Sequence, residues 1–159
     1  MFSTVSGIFL SALVLLWQDS PVEVARLRGP AEWIVRGLFL AALPGFLWGA
    51  RSIPAFDPLG TRPIRSRLPD EAIGTGAFVV RGPYRWIRHP QYFFTLILIW
   101  AQPDLTADRL LFDLIFSAWI VIGTVLEERD LVEEFGELYR DYQKNVPMLL
   151  PYRRPSARI

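Results

Sequence analysis

Gly82-Pro83-Tyr84-Arg85-Trp86-Ile87-Arg88-His89-Pro90-Gln91-Tyr92 runs without a break into the apolar stretch Phe93–Ala101. Two arginines, two tyrosines and the only histidine of the chain therefore stand at the mouth of a hydrophobic segment. Pro90 sets the local geometry: proline suits the first turn of a helix, where its missing N–H has no partner to lose, and it biases the preceding residue away from helical angles. His89 is thus expected at the cap of a helix that begins at Pro90. The free amides of such a first turn attract an anionic group, a carboxylate for example. An Arg/aromatic anchor belt at a membrane surface is the plainer account of the same residues.

The rest of the chain reads as a membrane protein. It has 159 residues, 52% of them hydrophobic, and a mean hydropathy of +0.26, too apolar for an ordinary soluble domain and too short for two large ones. There is no cysteine, which excludes thiol catalysis, disulfides and thiolate metal sites. With a single histidine, a protein-only metal site is not expected. A net charge of +1 argues against capture of nucleic acid. Phe2–Trp17 has no basic flank before it and no small-residue cleavage site after it, so it reads as a retained membrane segment.

Four apolar stretches follow in order: Phe2–Trp17, Ala31–Ala50, Pro90 to about Gln102-Pro103, and Leu110–Leu126. Lipid requires backbone hydrogen bonds to close within a segment, so each is expected to be a transmembrane helix. The predicted fold is all-α and polytopic, with about four spans and a C-terminal amphipathic helix. Gln102–Asp108 is a tight turn in this reading and makes spans three and four an antiparallel hairpin. The whole chain forms one domain: two N-terminal spans in 1–50, a loop over 51–89, the hairpin in 90–126, and an interfacial helix and tail in 127–159. The loop is broken by Pro54, Pro58, Gly60, Pro63 and Pro69, and a long loop of this kind is often functional.

Four spans place both termini and the loop on one side. That side carries thirteen Lys and Arg residues against three, Arg26, Arg28 and Arg109, on the other. The positive-inside rule makes the first side cytoplasmic, and the expected setting is a bacterial inner membrane. Within the spans, Arg36 either snorkels or serves a function, and Asp113 is expected to pair with Arg109 one turn back. Beyond the fourth span, Glu127–Lys144 reads as a helix continuing out of the membrane, with Leu131, Phe135, Leu138, Tyr139 and Tyr142 on one apolar face. Glu127 and Glu128 lie about 100° apart on that helix, so only one faces a pocket squarely. The one that does not is a lip residue or a partner for a loop arginine.

Two blocks carry a resemblance. Gly-Pro-Tyr-x-x-x-Arg-His-Pro-x-Tyr (82–92), Glu-Glu-x-x-Leu (127–131) and Phe-Gly-x-x-Tyr-x-x-Tyr-x-x-x-Val-Pro (135–147) together resemble the integral-membrane methyltransferases. That superfamily includes isoprenylcysteine carboxyl methyltransferases, phospholipid methyltransferases and the methanethiol S-methyltransferase group. The likeness runs from about Gly76 to Pro151, half of the chain. The runs Leu126-Glu127-Glu128-Arg129-Asp130-Leu131-Val132 and Met148-Leu149-Leu150-Pro151 look closest to the thiol branch.

The resemblance implies S-adenosylmethionine as methyl donor. It places cofactor contacts on Gly76, Ala77, Phe78, Val79, Tyr84, Arg88, His89, Pro90, Gln91, Tyr92 and Glu127, with Glu127, Tyr92 and Glu128 as candidate catalytic residues and no metal. It thereby implies that Glu127 faces the pocket and that Glu128 is the lip residue or arginine partner. These residue types suit the ligand: Phe78, Tyr84 and Tyr92 offer π faces to adenine and to a sulfonium charge, the start of the Pro90 helix suits a carboxylate, and Glu127 suits an ammonium or ribose hydroxyls. Gly74-x-Gly76 has no βαβ context and is not a dinucleotide fingerprint. The acceptor is expected to be small or lipophilic and to enter from the bilayer: a thiol or a lipid-headgroup amine. Carboxyl methylation is the alternative within the family, and a non-catalytic membrane subunit that keeps the fold is the alternative outside it. Carboxyl methyltransferases of this family carry a substrate-binding arginine four residues before the glutamate aligned with Glu127. Here that position is Gly123, which removes the ion pair that would orient a carboxylate.

Overall fold

The computed structural model describes residues 19–52 and 80–153. The first apolar stretch, most of the loop and the Gly76–Val79 contacts lie outside the described residues. Within them the order is strand β1 (Glu23–Arg26), helix α1 (Pro30–Ser52), a 3-10 turn (Gly82–Arg85), helix α2 (Pro90–Trp100), strand β2 (Asp104–Thr106), helix α3 (Ala107–Phe135) and helix α4 (Glu137–Asn145).

Helices α1 and α3 are each long and apolar enough to cross a membrane. Only 17% of the apolar window of each is buried, which sets them apart from the core helices of a soluble protein. Trp33, Ile34, Leu40 and Leu111 point outward. The expected third span is shorter than a bilayer: the 11 residues of α2 rise about 16 Å, roughly half of a ~30 Å hydrocarbon core. The structure thus describes two helices of spanning length where the sequence reading expects four spans.

Packing of α2 on α1 rests on small residues. A Cβ added to Gly45 would collide with the Phe94 ring, and one on Gly49 would lie 3.5 Å from Gln91. Gly45 and Gly49 form a Gly-x-x-x-Gly face, the usual device for bringing two helices into backbone contact in lipid. It holds the first turn of α2, where the polar cluster stands. Arg36 is half-exposed and pairs with Glu32 at 2.8 Å, a local i,i+4 pair of small energetic weight.

α2 and α3 run antiparallel, as the hairpin reading requires. Trp100 Nε1 donates to Ser117 Oγ at 3.0 Å and Arg109 donates to the carbonyl of Ile99 at 3.2 Å, while Tyr92 meets Glu127 at the other end. Between them the chain departs from all-α. Asp104–Thr106 is a strand paired antiparallel with Glu23–Arg26, and Arg26 bonds Asp104 at 2.8 Å. Two segments this short carry little strand signal of their own; they pair because both cross the same end of the helices.

The predicted continuous helix Glu127–Lys144 is broken. Gly136 sits at φ 59°, ψ −128°, a conformation open essentially to glycine alone, and it ends α3 and starts α4. The turn carries Tyr139, Tyr142 and Val146 into a small core with Leu131, Val132 and Phe135. Leu138, expected on the same apolar face, is 67% exposed, because the break at Gly136 resets the helical phase.

Candidate functional site

Arg88 and His89 are held by the backbone before their side chains act. The amide of Arg88 donates to the carbonyl of Pro147 at 2.9 Å, and that of His89 to Met148 at 3.1 Å. The Val-Pro segment after α4 thus straps the entrance of α2. His89 caps α2 as expected, at φ −124°, ψ 67°, with no side-chain bond closing the first turn.

Beneath the strap lies a buried polar knot. Arg88 reaches Glu128 through two bonds, Nε to Oε1 at 2.5 Å and Nη2 to Oε2 at 2.9 Å. Its Nη1 donates to the carbonyls of Val146 at 2.5 Å and Gln143 at 2.9 Å. Glu128 also accepts from Gln143 at 2.9 Å and from Tyr139 at 3.4 Å, and its Oε1 stands 3.1 Å from His89 Nε2. Both charges are nearly removed from solvent, with side-chain exposures of 9% and 11%. A bidentate pair with every remaining site bonded is the arrangement in which a buried ion pair is tolerated.

Glu127 has the opposite environment. Its side chain is 47% exposed, it accepts from Tyr92 Oη at 3.0 Å, and its Oε2 lies 3.8 Å from His89 Nδ1. It lines a pocket of about 230 Å³ together with Tyr84, His89, Gln91 and Tyr92. Val80, Leu131, Tyr139 and Tyr142 form the rest of the wall, and Arg88 touches it from below. His89 and Tyr92 stack at 5.7 Å between ring centres.

The tyrosines remain neutral donors across the physiological range. Burial pushes the Tyr84 hydroxyl up to about 12, helped by the charge of Glu127. Burial likewise raises Tyr139 and Tyr142. Tyr142 donates to the carbonyl of Tyr84 at 2.5 Å, which ties the 3-10 turn to α4.

Of the candidate residues, Tyr84, His89, Gln91, Tyr92 and Glu127 converge on the pocket, and Pro90 is buried at the helix start beneath it. Glu128 is a loop arginine's partner rather than a lip residue, and Arg88 spends its donors inside the knot. Gly76, Ala77, Phe78 and Val79 lie outside the described residues. Gln143 was not singled out from the sequence. Its position one turn after Tyr139 on α4 was the available signal, hidden by the polar run Asp141–Asn145 around it.

Known proteins similar to this chain in sequence share one name. A methanethiol S-methyltransferase of Pseudomonas deceptionensis is 38% identical over 157 residues, covering 94% of this chain and 57% of the relative. Methanethiol S-methyltransferase 2 of Bradyrhizobium diazoefficiens is 36% identical over 150 residues, covering 91% and 58%. The chain is homologous to methanethiol S-methyltransferases. The Mycobacterium tuberculosis protein of that name is 34% identical, covering 89% of this chain and 59% of the relative. These relatives match the membrane-methyltransferase resemblance and its thiol branch. The chain spans less than two thirds of the length of each. No family model and no solved structure matches it.

Proposed function

We propose that this chain is an integral-membrane methyltransferase that moves a methyl group from S-adenosylmethionine to a small thiol. The observation that carries the reading is the pocket formed by Tyr84, His89, Gln91, Tyr92 and Glu127, in a chain whose relatives are named for thiol methylation. The residues fit the donor's chemistry. Half-exposed Glu127 suits an ammonium or ribose hydroxyls, the uncapped first turn at Pro90–Tyr92 suits a carboxylate, and the rings of Tyr84 and Tyr92 suit adenine and a sulfonium. When bound, the donor supplies an electrophilic methyl on a positive sulfur. The protein's part is to hold acceptor and methyl in line and to exclude water. Tyr92 fixes Glu127 through their bond, while Arg88 and Glu128 act from below by fixing His89 and the strap.

With four spans, in a bacterial inner membrane, the charge asymmetry supports both termini on the cytoplasmic side and a pocket that opens to the cytosol. A lipid-side opening would admit a small or lipophilic acceptor. Cysteines placed at Gly29 and Asp104 of this cysteine-free chain should label from outside, and Ser156→Cys should not; the reverse pattern inverts the topology. Gly123, one turn before Glu127, leaves no cation for a carboxylate acceptor. The test is product analysis after incubating the purified chain with labelled donor and, separately, methanethiol, phosphatidylethanolamine or a prenylcysteine. Methyl thioether formation is expected. Amine or ester products would move the activity to those branches, and no donor binding at all would leave a non-catalytic subunit.

A further inference from the structure

His89 is the one pocket residue whose ring has two different environments. Glu128 accepts from the donor-only guanidinium of Arg88 through both oxygens, so it is ionised and can only accept. The ring nitrogen that faces it at 3.1 Å, Nε2, must therefore carry a proton. In the neutral ring this leaves Nδ1 as a bare lone pair. It faces the pocket, where the nearest charged atom is Glu127 Oε2 at 3.8 Å, too far for a hydrogen bond. The first turn of α2 gives it no bond either. Glu127 itself is occupied by Tyr92 on that oxygen. A buried carboxylate that fixes the tautomer of an imidazole, and so presents the other nitrogen to a reacting group, is the arrangement that makes histidine a base.

We propose that Nδ1 of His89 is the base that takes the proton of the thiol acceptor. The inference rests on the thiol reading above and adds a catalytic role for the ring. As the acceptor sulfur bonds to the methyl carbon, the S–H proton passes to Nδ1. The methyl–sulfonium bond breaks with its electron pair returning to the donor's sulfur. The imidazolium left behind lies between Glu127 and Glu128, with Arg88 and Tyr139 behind Glu128 and Tyr92 and Tyr84 at the pocket wall, and it releases the proton to water. A simple thiol is mostly un-ionised at neutral pH, so this step is where help is needed.

The single histidine makes the test direct. In the full chain labelled with 15N-histidine in detergent, Nε2 should be protonated and Nδ1 bare at pH 7.5. The Nδ1 resonance should move when S-adenosylhomocysteine and methanethiol are added together. A proton found on Nδ1 throughout pH 6.5–9 overturns the proposal, whatever the variants do. His89→Gln keeps an amide donor for Glu128 and removes the lone pair. It should lower kcat at pH 7, measured with the donor saturating, by about 100-fold or more. The deficit should shrink roughly tenfold per pH unit below the pKa of the thiol and nearly vanish for thiols acidic enough to be ionised already. A deficit constant across pH and thiol acidity would show a structural role and overturn the base. If the unmodified chain methylates no thiol at any pH, it is the thiol reading that fails.

Discussion

Two acids lie 15 residues apart on α3, about 22 Å along the helix, and they are treated in opposite ways. Glu128 is buried and accepts from Arg88, Tyr139 and Gln143, with His89 at its side. Asp113 is also buried, with no exposed surface, yet neither of its oxygens has a hydrogen-bond partner, and Arg109 Nε is likewise unpartnered. The ion pair that spacing predicts between Asp113 and Arg109 is not formed, because Arg109 turns to the carbonyl of Ile99. Burial alone therefore does not mark a site on this helix. What distinguishes the Glu128 end is convergence: Arg88 and His89 at the entrance of α2, α3, α4 and the Val146–Met148 strap all spend polar groups there.

The largest effect expected from this contrast is on folding. Arg88→Ala or Glu128→Ala leaves one buried charge without its partner, which typically costs about 3–5 kcal/mol. Thermal unfolding in detergent should show either variant far below the unmodified protein, with Arg88→Lys intermediate because one ammonium cannot reproduce the two-pronged bond. A melting temperature unchanged in both alanine variants would break the contrast.

Next in size is an effect on binding without one on folding. Glu127 neighbours Glu128 in sequence but faces the open pocket, so Glu127→Gln should leave the melting temperature alone. The loss of one charge-assisted hydrogen bond, about 1.5–3 kcal/mol, corresponds to roughly 10–150-fold weaker S-adenosylmethionine binding in calorimetry. Equal damage to stability and affinity would mean that the two glutamates belong to one unit.

Much of this was legible from the residues. The Pro90 helix start and the His89 cap follow from proline chemistry; helical angle says that only one of Glu127 and Glu128 can face the pocket, and the family resemblance is what pointed to Glu127. The break at Gly136 was missed because the apolar periodicity on either side masks a single glycine. The β1–β2 pair was missed because four and three residues are too few to show an alternation. The Arg88–Glu128 bond joins positions 40 apart, and the sequence could offer it only as one of two options. Its closure depends on the strap, and a backbone pairing between 88–89 and 147–148 has no side-chain signature.

A smaller effect is expected where α1 holds the site from outside. Gly45→Val places a side chain where the Phe94 ring sits, and overpacking of this kind costs about 1–3 kcal/mol. Because Phe94 lies one turn from Pro90, donor affinity should fall along with stability. Gly37→Ala, with open space around its Cβ, is the control and should change neither. If Gly45→Val melts like the parent, the Gly-x-x-x-Gly face does not set the position of α2.

The smallest effect should come from the other acid. Asp113 is buried and has no hydrogen-bond partner to lose, so the near-isosteric Asp113→Asn should not destabilise the protein, and its melting temperature should equal or exceed that of the parent. The double variant with Arg109→Ala sharpens the point. The two share no hydrogen bond, so what couples them is the attraction of opposite charges one turn apart, and the cycle should close to within about 0.5 kcal/mol. Donor affinity and turnover should also be unchanged, since the pocket lies at the far end of α3. A loss above about 2 kcal/mol in the single variant, or strong coupling in the cycle, would mean that Asp113 is held as Glu128 is. The polar groups of this helix would then be committed at both ends, and the convergence at Arg88, His89 and Glu128 would no longer single out one of them.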